Sequence, residues 1–135
     1  MDVGSELKAV QGLAPASQSV TTHNGDAVDT KGFKEALFLL NAGVAAATGT
    51  ADVKVQECAT SDGQYADIEG AAFTQITTAN DVAIYQGRVR ITPTRKRYLR
   101  AVAVVGTDVV VLGVAVILGD AQNLPAAEPA FDIHG

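Results

Sequence analysis

Two consecutive stretches near the C-terminal end of the sequence, Tyr98–Val105 and Val109–Leu118, are apolar at most positions. Because side chains alternate between the two faces of a strand, a hairpin at a protein surface is expected to be apolar on one side only. Both stretches instead carry valine, leucine, isoleucine or alanine on both sides. The intervening Gly106-Thr107-Asp108 is typical of a turn, so the pattern predicts a hairpin that is covered on both faces.

A second cover for this hairpin has to come from outside a small domain. The chain has 135 residues, which is enough for one core, and it carries few helix signals. One face of the hairpin is therefore expected to lie on that core and the other on another subunit or a larger partner. This pattern favours assembly over catalysis, and the candidate interface residues are Val109, Val111, Val114 and Val116.

The remaining chain is typical of an all-β protein. Short alternating segments, separated by glycine, asparagine, aspartate or proline, predict about eight strands at the spacing of an antiparallel β-sandwich or jelly roll. Before the hairpin, the predicted strands are Ser17–Thr22, Ala27–Thr30, Glu35–Ala42, Asp52–Thr60, Tyr65–Ile68, Phe73–Thr77 and Val82–Ile91. Asn24-Gly25 favours a tight hairpin turn between the first two. We expect an N-terminal arm over 1–16 with an edge strand at its end, a sandwich over 17–120 and an extended tail over 121–135.

Composition and charge exclude several function classes. The net charge of −5 argues against general nucleic-acid binding. The single cysteine, Cys58, excludes an internal disulfide and a cysteine-based zinc site. The acidic start of the sequence does not resemble a secretory signal. The longest apolar run, Val109–Leu118, has ten residues, whereas a membrane-spanning helix needs roughly 20. We expect no membrane partner.

Catalytic, cofactor and metal residues are not predicted. The two histidines, His23 and His134, fall in a turn and at the end of the tail, without the partners of a catalytic triad. The acids around Gly63, which are Asp62, Asp67 and Glu69, do not follow the spacing of an EF-hand loop and are typical of a solvated hairpin. Alternation places Cys58 on the polar side of its strand, with no basic neighbour in sequence to activate it.

A basic segment stands out on this acidic chain. Six of the ten basic residues are Arg88, Arg90, Arg95, Lys96, Arg97 and Arg100, and no acid interrupts Val82–Thr107. Two interpretations stay open. The cluster is either a solvated strand end that pairs with acids elsewhere in the fold, or a patch that docks on an acidic protein surface through bidentate arginines. For docking, the candidate residues are Arg95, Lys96, Arg97 and Arg100.

The tail carries apolar residues spaced by Pro125 and Pro129. Such a segment is either unstructured, which is the default for a terminus, or lies extended across a neighbour. In the second case Leu124 and Phe131 are the candidate docking anchors.

Several runs of the sequence resemble small virion proteins of tailed bacteriophages. They are Val53-Lys54-Val55-Gln56-Glu57, Ser61-Asp62-Gly63, Ile68-Glu69-Gly70-Ala71-Ala72-Phe73 and Lys96-Arg97-Tyr98-Leu99-Arg100-Ala101. Over roughly Lys34–Gly119, the chain resembles the capsid cement, or decoration, proteins, which have a jelly-roll-like fold and no known catalytic residues. The resemblance implies a symmetric homo-oligomer on the outside of an icosahedral capsid, where it bridges major capsid proteins against the pressure of packaged DNA.

On this basis the sequence predicts a structural virion protein on the capsid exterior, made in the host cytoplasm. Its expected partners are the major capsid protein and further copies of itself, with a dimer favoured over a trimer, and no cofactor or direct nucleic-acid contact is expected. The alternative is a carbohydrate- or ligand-binding β-sandwich of a tail fibre or host-recognition protein, because jelly rolls host lectins as well. The absence of tryptophan and the presence of only three tyrosines make a sugar-stacking platform less favoured.

Overall fold

The structure is a computed structural model that describes residues 7–119 and 131–133. In these ranges the chain forms ten strands and no helix. The strands are β1 (Lys8–Gln18), β2 (Thr22–Asn24), β3 (Val28–Asp29), β4 (Glu35–Ala45), β5 (Thr50–Cys58), β6 (Ala66–Ala72), β7 (Ala83–Arg90), β8 (Tyr98–Gly106), β9 (Val110–Gly119) and β10 (Phe131–Ile133).

The strands form two sheets packed face to face. Sheet A has the order β1-β9-β4-β7-β10, and sheet B has the order β2-β8-β5-β6, with β3 also paired to β8. All pairs are antiparallel except the parallel pair of β10 and β7. The pairs are nested, because β1 pairs with β9, β2 and β3 with β8, β4 with β7, and β5 with β6. This is the strand order of a jelly roll, and the predicted antiparallel β-sandwich is confirmed.

The C-terminal strands do not form the predicted hairpin. β8 belongs to sheet B and β9 to sheet A, so the two strands lie on opposite sides of the core instead of side by side. The chain crosses between the sheets at Gly106-Thr107-Asp108, where the Asp108 amide donates a hydrogen bond to the Gly106 carbonyl at 2.7 Å. The strand pairing forces this crossing, because β8 pairs with β2, β3 and β5, whereas β9 pairs with β1 and β4.

The core consists of the inner faces of both sheets. From β8 and β9 it takes Leu99, Ala101, Ala103, Val105, Val110, Leu112, Val114, Val116 and Leu118. Phe38 and Leu40 of β4 and Val53 and Val55 of β5 complete its centre, and all four are at most 1% exposed. One apolar face of each C-terminal strand is therefore covered within the chain itself.

The outer faces of β8 and β9 differ in their cover. Val102 of β8 is buried, with Asn24 and Lys54 as its cross-strand neighbours. Val104 of β8 and Val111 of β9 are 38% and 40% exposed. No described segment covers these two residues, so the expectation of a second cover applies to part of each outer face.

The first strand begins earlier than predicted. β1 starts at Lys8, within the stretch predicted as an arm, and ends at Gln18, so the predicted strand Ser17–Thr22 is wrong. Two register shifts against β9 bend this edge strand around Leu13. Gln18 is 6% exposed and donates to the carbonyls of Ala14 and Leu112, both at 3.0 Å. A buried amide thus satisfies acceptors beside the bulge, where the ladder is irregular.

The predicted hairpin turn at Asn24-Gly25 is also wrong. β2 and β3 both run along β8, and Gly25 between them has no positive φ. Its amide donates to the Ala101 carbonyl at 2.7 Å. A Cβ on Gly25 would lie 2.3 Å from the Gly12 carbonyl oxygen and 2.6 Å from that of Ala101. The position requires glycine because two backbones approach it closely where sheet A meets sheet B.

Two further strand predictions differ in their outcome. Glu35–Ala42 is a buried strand, as predicted, and β4 extends it to Ala45. Phe73–Thr77 is not a strand, because Ile76 makes only an isolated bridge to Ala51. The tail contributes β10, whose Phe131 backbone pairs with Gly87.

The crossing between β8 and β9 predicts a stabilising substitution. Thr107 is exposed and has a φ of 69°, in the left-handed region that is unfavourable for β-branched residues. Thr107→Asn should raise the free energy of unfolding by about 1 kcal/mol, because asparagine tolerates this conformation. Urea denaturation measures the change, with Thr78→Asn as the control, since Thr78 is an exposed turn residue without a positive φ. Equal effects of the two substitutions would contradict the prediction.

Candidate interaction surface

The outer face of sheet A is predominantly aliphatic. Strand alternation turns the odd-numbered residues of β9, and those of β4 before the register shift that follows Ala42, away from the core. Cross-strand pairing then places them in rows, of which one contains Ala9, Ile117 and Leu37 and the next contains Ala115 and Leu39. We call this surface the apolar face and define it as Ala9, Leu37, Leu39, Ile84, Val111, Ala115 and Ile117.

Neutral polar residues accompany the apolar face. Gln11 pairs with Ala115, Gln86 pairs with Leu39, and Asn41 lies between Gly113 and Ile84. No aspartate, glutamate or lysine lies in these rows, and their one charged side chain is Arg88, which pairs with Leu37 and lies 3.9 Å from Glu35. The surface therefore offers mainly aliphatic groups and amides, with a single positive charge at the β7 edge.

One end of the apolar face protrudes. Ile84 and Val82 are each 67% exposed and Val44 is 63% exposed. These residues surround Gly43, whose carbonyl accepts a hydrogen bond from the Val82 amide at 3.1 Å. Val111 lies over Gly43, because a Cβ there would be 2.8 Å from the Val111 Cγ1 atom. Exposed branched side chains in such a group are uncommon on soluble monomers and mark interaction surfaces.

A groove lies along the opposite edge of the same face, where the bulges of β1 lift it from β9. It has a volume of about 330 Å³ and is lined in part by Leu13, Pro15, Asn41 and Gly113. Gly113 forms its floor beside Pro15, since a Cβ on Gly113 would lie 2.7 Å from the Pro15 Cα atom. The groove and the protruding end share a row, because Asn41 pairs with Gly113 on one side and with Ile84 on the other.

Charge at the other end of sheet A is neutralised within the chain. Glu35 is only 4% exposed, and its Oε1 atom lies 3.2 Å from Arg90 Nη1 and 3.9 Å from Arg88 Nη1. Both carboxylate oxygens are buried without a hydrogen bond, so the ion pairs are their compensation. The sequence predictions do not include this glutamate, although its outward parity within a buried strand is a detectable signal.

The outer face of sheet B has the opposite character. Asp67 accepts hydrogen bonds from Gln56 Nε2 at 2.8 Å and from Lys54 Nζ at 3.1 Å. The Gln56 hydrogen bond, followed by that of Lys54, lowers the pKa of Asp67. Arg100 Nε in turn donates to Gln56 Oε1 at 2.9 Å. These partners form a solvated polar network, which includes Asp67, one of the acids near Gly63.

Most of the predicted docking arginines have partners within the domain. Arg97 binds Asp29 bidentately, with its Nε and Nη2 atoms at 2.8 and 2.7 Å from the two carboxylate oxygens. Arg95 Nη1 lies 3.1 Å from Glu57 Oε1, which also accepts the Lys96 amide at 2.9 Å. These contacts support the interpretation that the basic cluster pairs with acids of the same fold. Lys96 remains exposed, and docking by this cluster stays a prediction.

The predicted oligomer interface requires a correction. Val114 and Val116 are 3% and 0% exposed and face the core between the sheets, so they do not reach the surface. Val114 and Val116 have the opposite strand parity to Val111, so these residues cannot share one surface. Val109 and Val111 are 39% and 40% exposed, and their interface role stays a prediction.

The remaining candidates have ordinary surroundings or lie outside the described residues. Cys58 is 8% exposed, contrary to its predicted polar side, with its Sγ atom beside the turn that contains Gly63. His23 Nε2 lies 2.7 Å from the Ser19 carbonyl oxygen. Leu124 and His134 fall outside the described residues, and the docking role of Phe131 is untested.

The described residues contain no group of three or more histidine, cysteine, aspartate or glutamate side chains that could hold a metal ion. They also contain no helix with the length and hydropathy needed to cross a membrane. No protein-family model and no curated protein matches this chain. Its candidate site is therefore defined by its own surface, and the apolar face is the feature that packing among residues 7–119 leaves uncovered.

The Asp29–Arg97 pair makes a testable pH prediction. The side-chain hydrogen bonds from Arg97, followed by the Lys31 amide, hold the pKa of Asp29 below its usual value of 3.8. Since the folded-state pKa is depressed, the pair stabilises the fold above that value, and the stabilisation is lost as the pH falls through the depressed pKa. Arg97→Gln should raise the pKa of Asp29 towards its usual range.

Carboxyl chemical shifts followed by NMR during an acid titration measure this change. Asp67 is the internal control, because its pKa is lowered by Gln56 and Lys54 and should not respond to Arg97→Gln. An Asp29 pKa that is unchanged in the variant would show that Arg97 is not the cause.

Proposed function

We propose that this protein is a non-enzymatic structural component of a bacteriophage virion, which binds the outside of the capsid and bridges major capsid proteins. The apolar face carries this proposal. A folded sandwich with its own complete core still presents aliphatic side chains from four adjacent strands, and this arrangement fits a protein whose task is to assemble with others.

Two further observations support the proposal. The jelly-roll strand order agrees with the fold implied by the resemblance to capsid cement proteins. In addition, the charged side chains of sheet B are engaged with one another, which favours a stable scaffold over a reactive cleft. The apolar face would serve assembly, and exposed polar groups such as Lys96 would contact the capsid.

The alternative, a carbohydrate-binding module, gains no support from the tyrosines. The Arg100 guanidinium lies 4.2 Å from the centre of the Tyr65 ring, and burial raises the pKa of this tyrosine. The Tyr85 hydroxyl donates to the Asn80 carbonyl at 2.6 Å. Tyr98 lies beneath Arg97 at 5.0 Å. Tyr65 and Tyr98 each have an arginine over the ring, and Tyr85 is packed against the core, whereas a sugar platform needs an open aromatic face.

Capsid binding tests the proposal directly. The full chain is mixed with empty expanded capsids, assembled without it, of the phage that encodes it, and bound protein is measured by co-sedimentation. We expect saturable binding with a fixed number of copies per capsid. Absence of binding at low and at physiological salt would overturn the proposal.

Substitution of Lys96 tests the contribution of exposed positive charge to that binding. Lys96→Glu should weaken capsid binding about tenfold, or roughly 1.4 kcal/mol, because it reverses a charge at the rim of the contact. Lys96→Arg, which keeps the charge, is the matched control and should bind as the parent does. Equal binding by Lys96→Glu and the parent would exclude Lys96 from the contact.

A further inference from the structure

We propose that the apolar face is covered by a second copy of this chain, in a dimer whose twofold axis runs along β4 and β9. The two sheets A would pack face to face. This inference rests on the proposed structural function, since it names the partner of the same surface. It concerns the isolated protein, however, and is tested without capsids.

The shape of the apolar face is complementary to a second copy of itself. The protruding Ile84 and the groove beside β1 lie in the same row of sheet A, on opposite edges. A twofold axis parallel to the strands exchanges the two edges and preserves the position along the strands. It therefore places Ile84 of each copy over the groove of its partner. A protrusion and a hollow related in this way make the face complementary to itself, as an isologous interface requires.

The low charge of the apolar face also favours a second copy as its partner. Two copies of a chain with a net charge of −5 repel each other unless their contact excludes charge. The rows of the apolar face contain aliphatic groups, the amides of Gln11, Asn41 and Gln86, and one charged side chain, Arg88, in the row of Ala9. The buried Glu35 at the end of the sheet is compensated by Arg90 and Arg88. Because the proposed axis exchanges the two edges of each row, Arg88 of one copy lies over Ala9 of the other, and the two Arg88 side chains are not placed opposite each other.

The area of the apolar face is comparable to that of a stable dimer interface. The face spans β1, β9, β4 and β7, which have 11, 10, 11 and 8 residues. At about 4.8 Å between strands and about 3.3 Å per residue, four strands of this length cover about 600 Å² in projection. Stable interfaces bury about 800 Å² of accessible surface per partner. Side chains add relief to the projected area, so the face is large enough for a stable dimer.

The backbone is strained at the protruding end of the apolar face. Val82 has a φ of 52° and is 67% exposed, although a valine in this conformation is unfavourable and none of the described residues buries it. Its amide is bonded to Gly43 and its neighbour Asp81 accepts the Ala45 amide at 2.8 Å, so the start of β7 is fixed on β4. Strained residues concentrate where they serve binding, and this strain presents Val82 and Ile84 together.

The mass of the full chain in solution, measured by light scattering over a range of concentrations, tests the dimer. We expect twice the chain mass of 13.9 kDa, at low and high salt alike, because an apolar contact is insensitive to screening. Ile84→Asp should raise the dissociation constant at least a hundredfold. Val104→Asp is the matched control, since Val104 is an exposed valine on the outer face of sheet B, and it should leave the dimer intact.

Cross-linking tests the orientation. In a Cys58→Ala background, cysteines at Ile84 and Pro15 should form an intermolecular disulfide under mild oxidation. Within one chain, these positions are three strand spacings apart, or about 14 Å, which is too far for a disulfide. Cysteines at Val104 and Pro15 should give no cross-linked dimer.

A monomer or trimer, an unchanged dimer in Ile84→Asp, or a missing cross-link in an otherwise dimeric protein would each overturn the inference. Capsid binding by a monomer would overturn this inference and leave the proposed function standing. A dimer that fails to bind capsids would do the reverse.

Discussion

The packing of β4 and β9 against β5 and β8 holds the two sheets together, and the rest of the structure depends on it. Burial of one aliphatic side chain contributes about 1.5–3 kcal/mol, and the central strands supply most of the buried leucine and valine of the chain. Because β8 and β9 lie in opposite sheets, their crossing at Gly106-Thr107-Asp108 fixes how the sheets are joined. The close approach at Gly25 fixes a second point where the sheets meet.

With the core complete, the charged residues are distributed so that sheet A is left almost neutral on its outside. Asp29, Glu57 and Asp67 take their basic partners on or beside sheet B. Glu35, the one acid of β4, is compensated by arginines of the neighbouring β7. The outer faces of the two sheets therefore differ in character, and this division of the surface suits two different kinds of contact. Sheet B interacts with solvent, and sheet A has the composition of a contact surface.

This division connects the proposed function with the proposed dimer. A capsid-binding protein that also pairs with itself needs two kinds of surface, one apolar and one open to polar contacts. In the proposed arrangement, the dimer uses the apolar face and leaves Lys96 and the surface of sheet B accessible. Four arginines of the basic cluster then act mainly as structural partners of Asp29, Glu35 and Glu57, and this role accounts for their presence in an otherwise acidic chain.

The sequence alone determined the β class, the buried character of β4 and the alternation that separates Val53 and Val55 from Lys54 and Gln56. These properties follow from a local period of two residues. It also indicated that β8 and β9 carry more apolar surface than one core can cover. Only the tertiary structure decided that these strands belong to different sheets, that Val114 and Val116 are internal, and that Leu37, Leu39, Ile84 and Ile117 share one outer face. Strand partners are set by pairings between distant segments, and the alternation within a strand contains no information about which segment lies beside it.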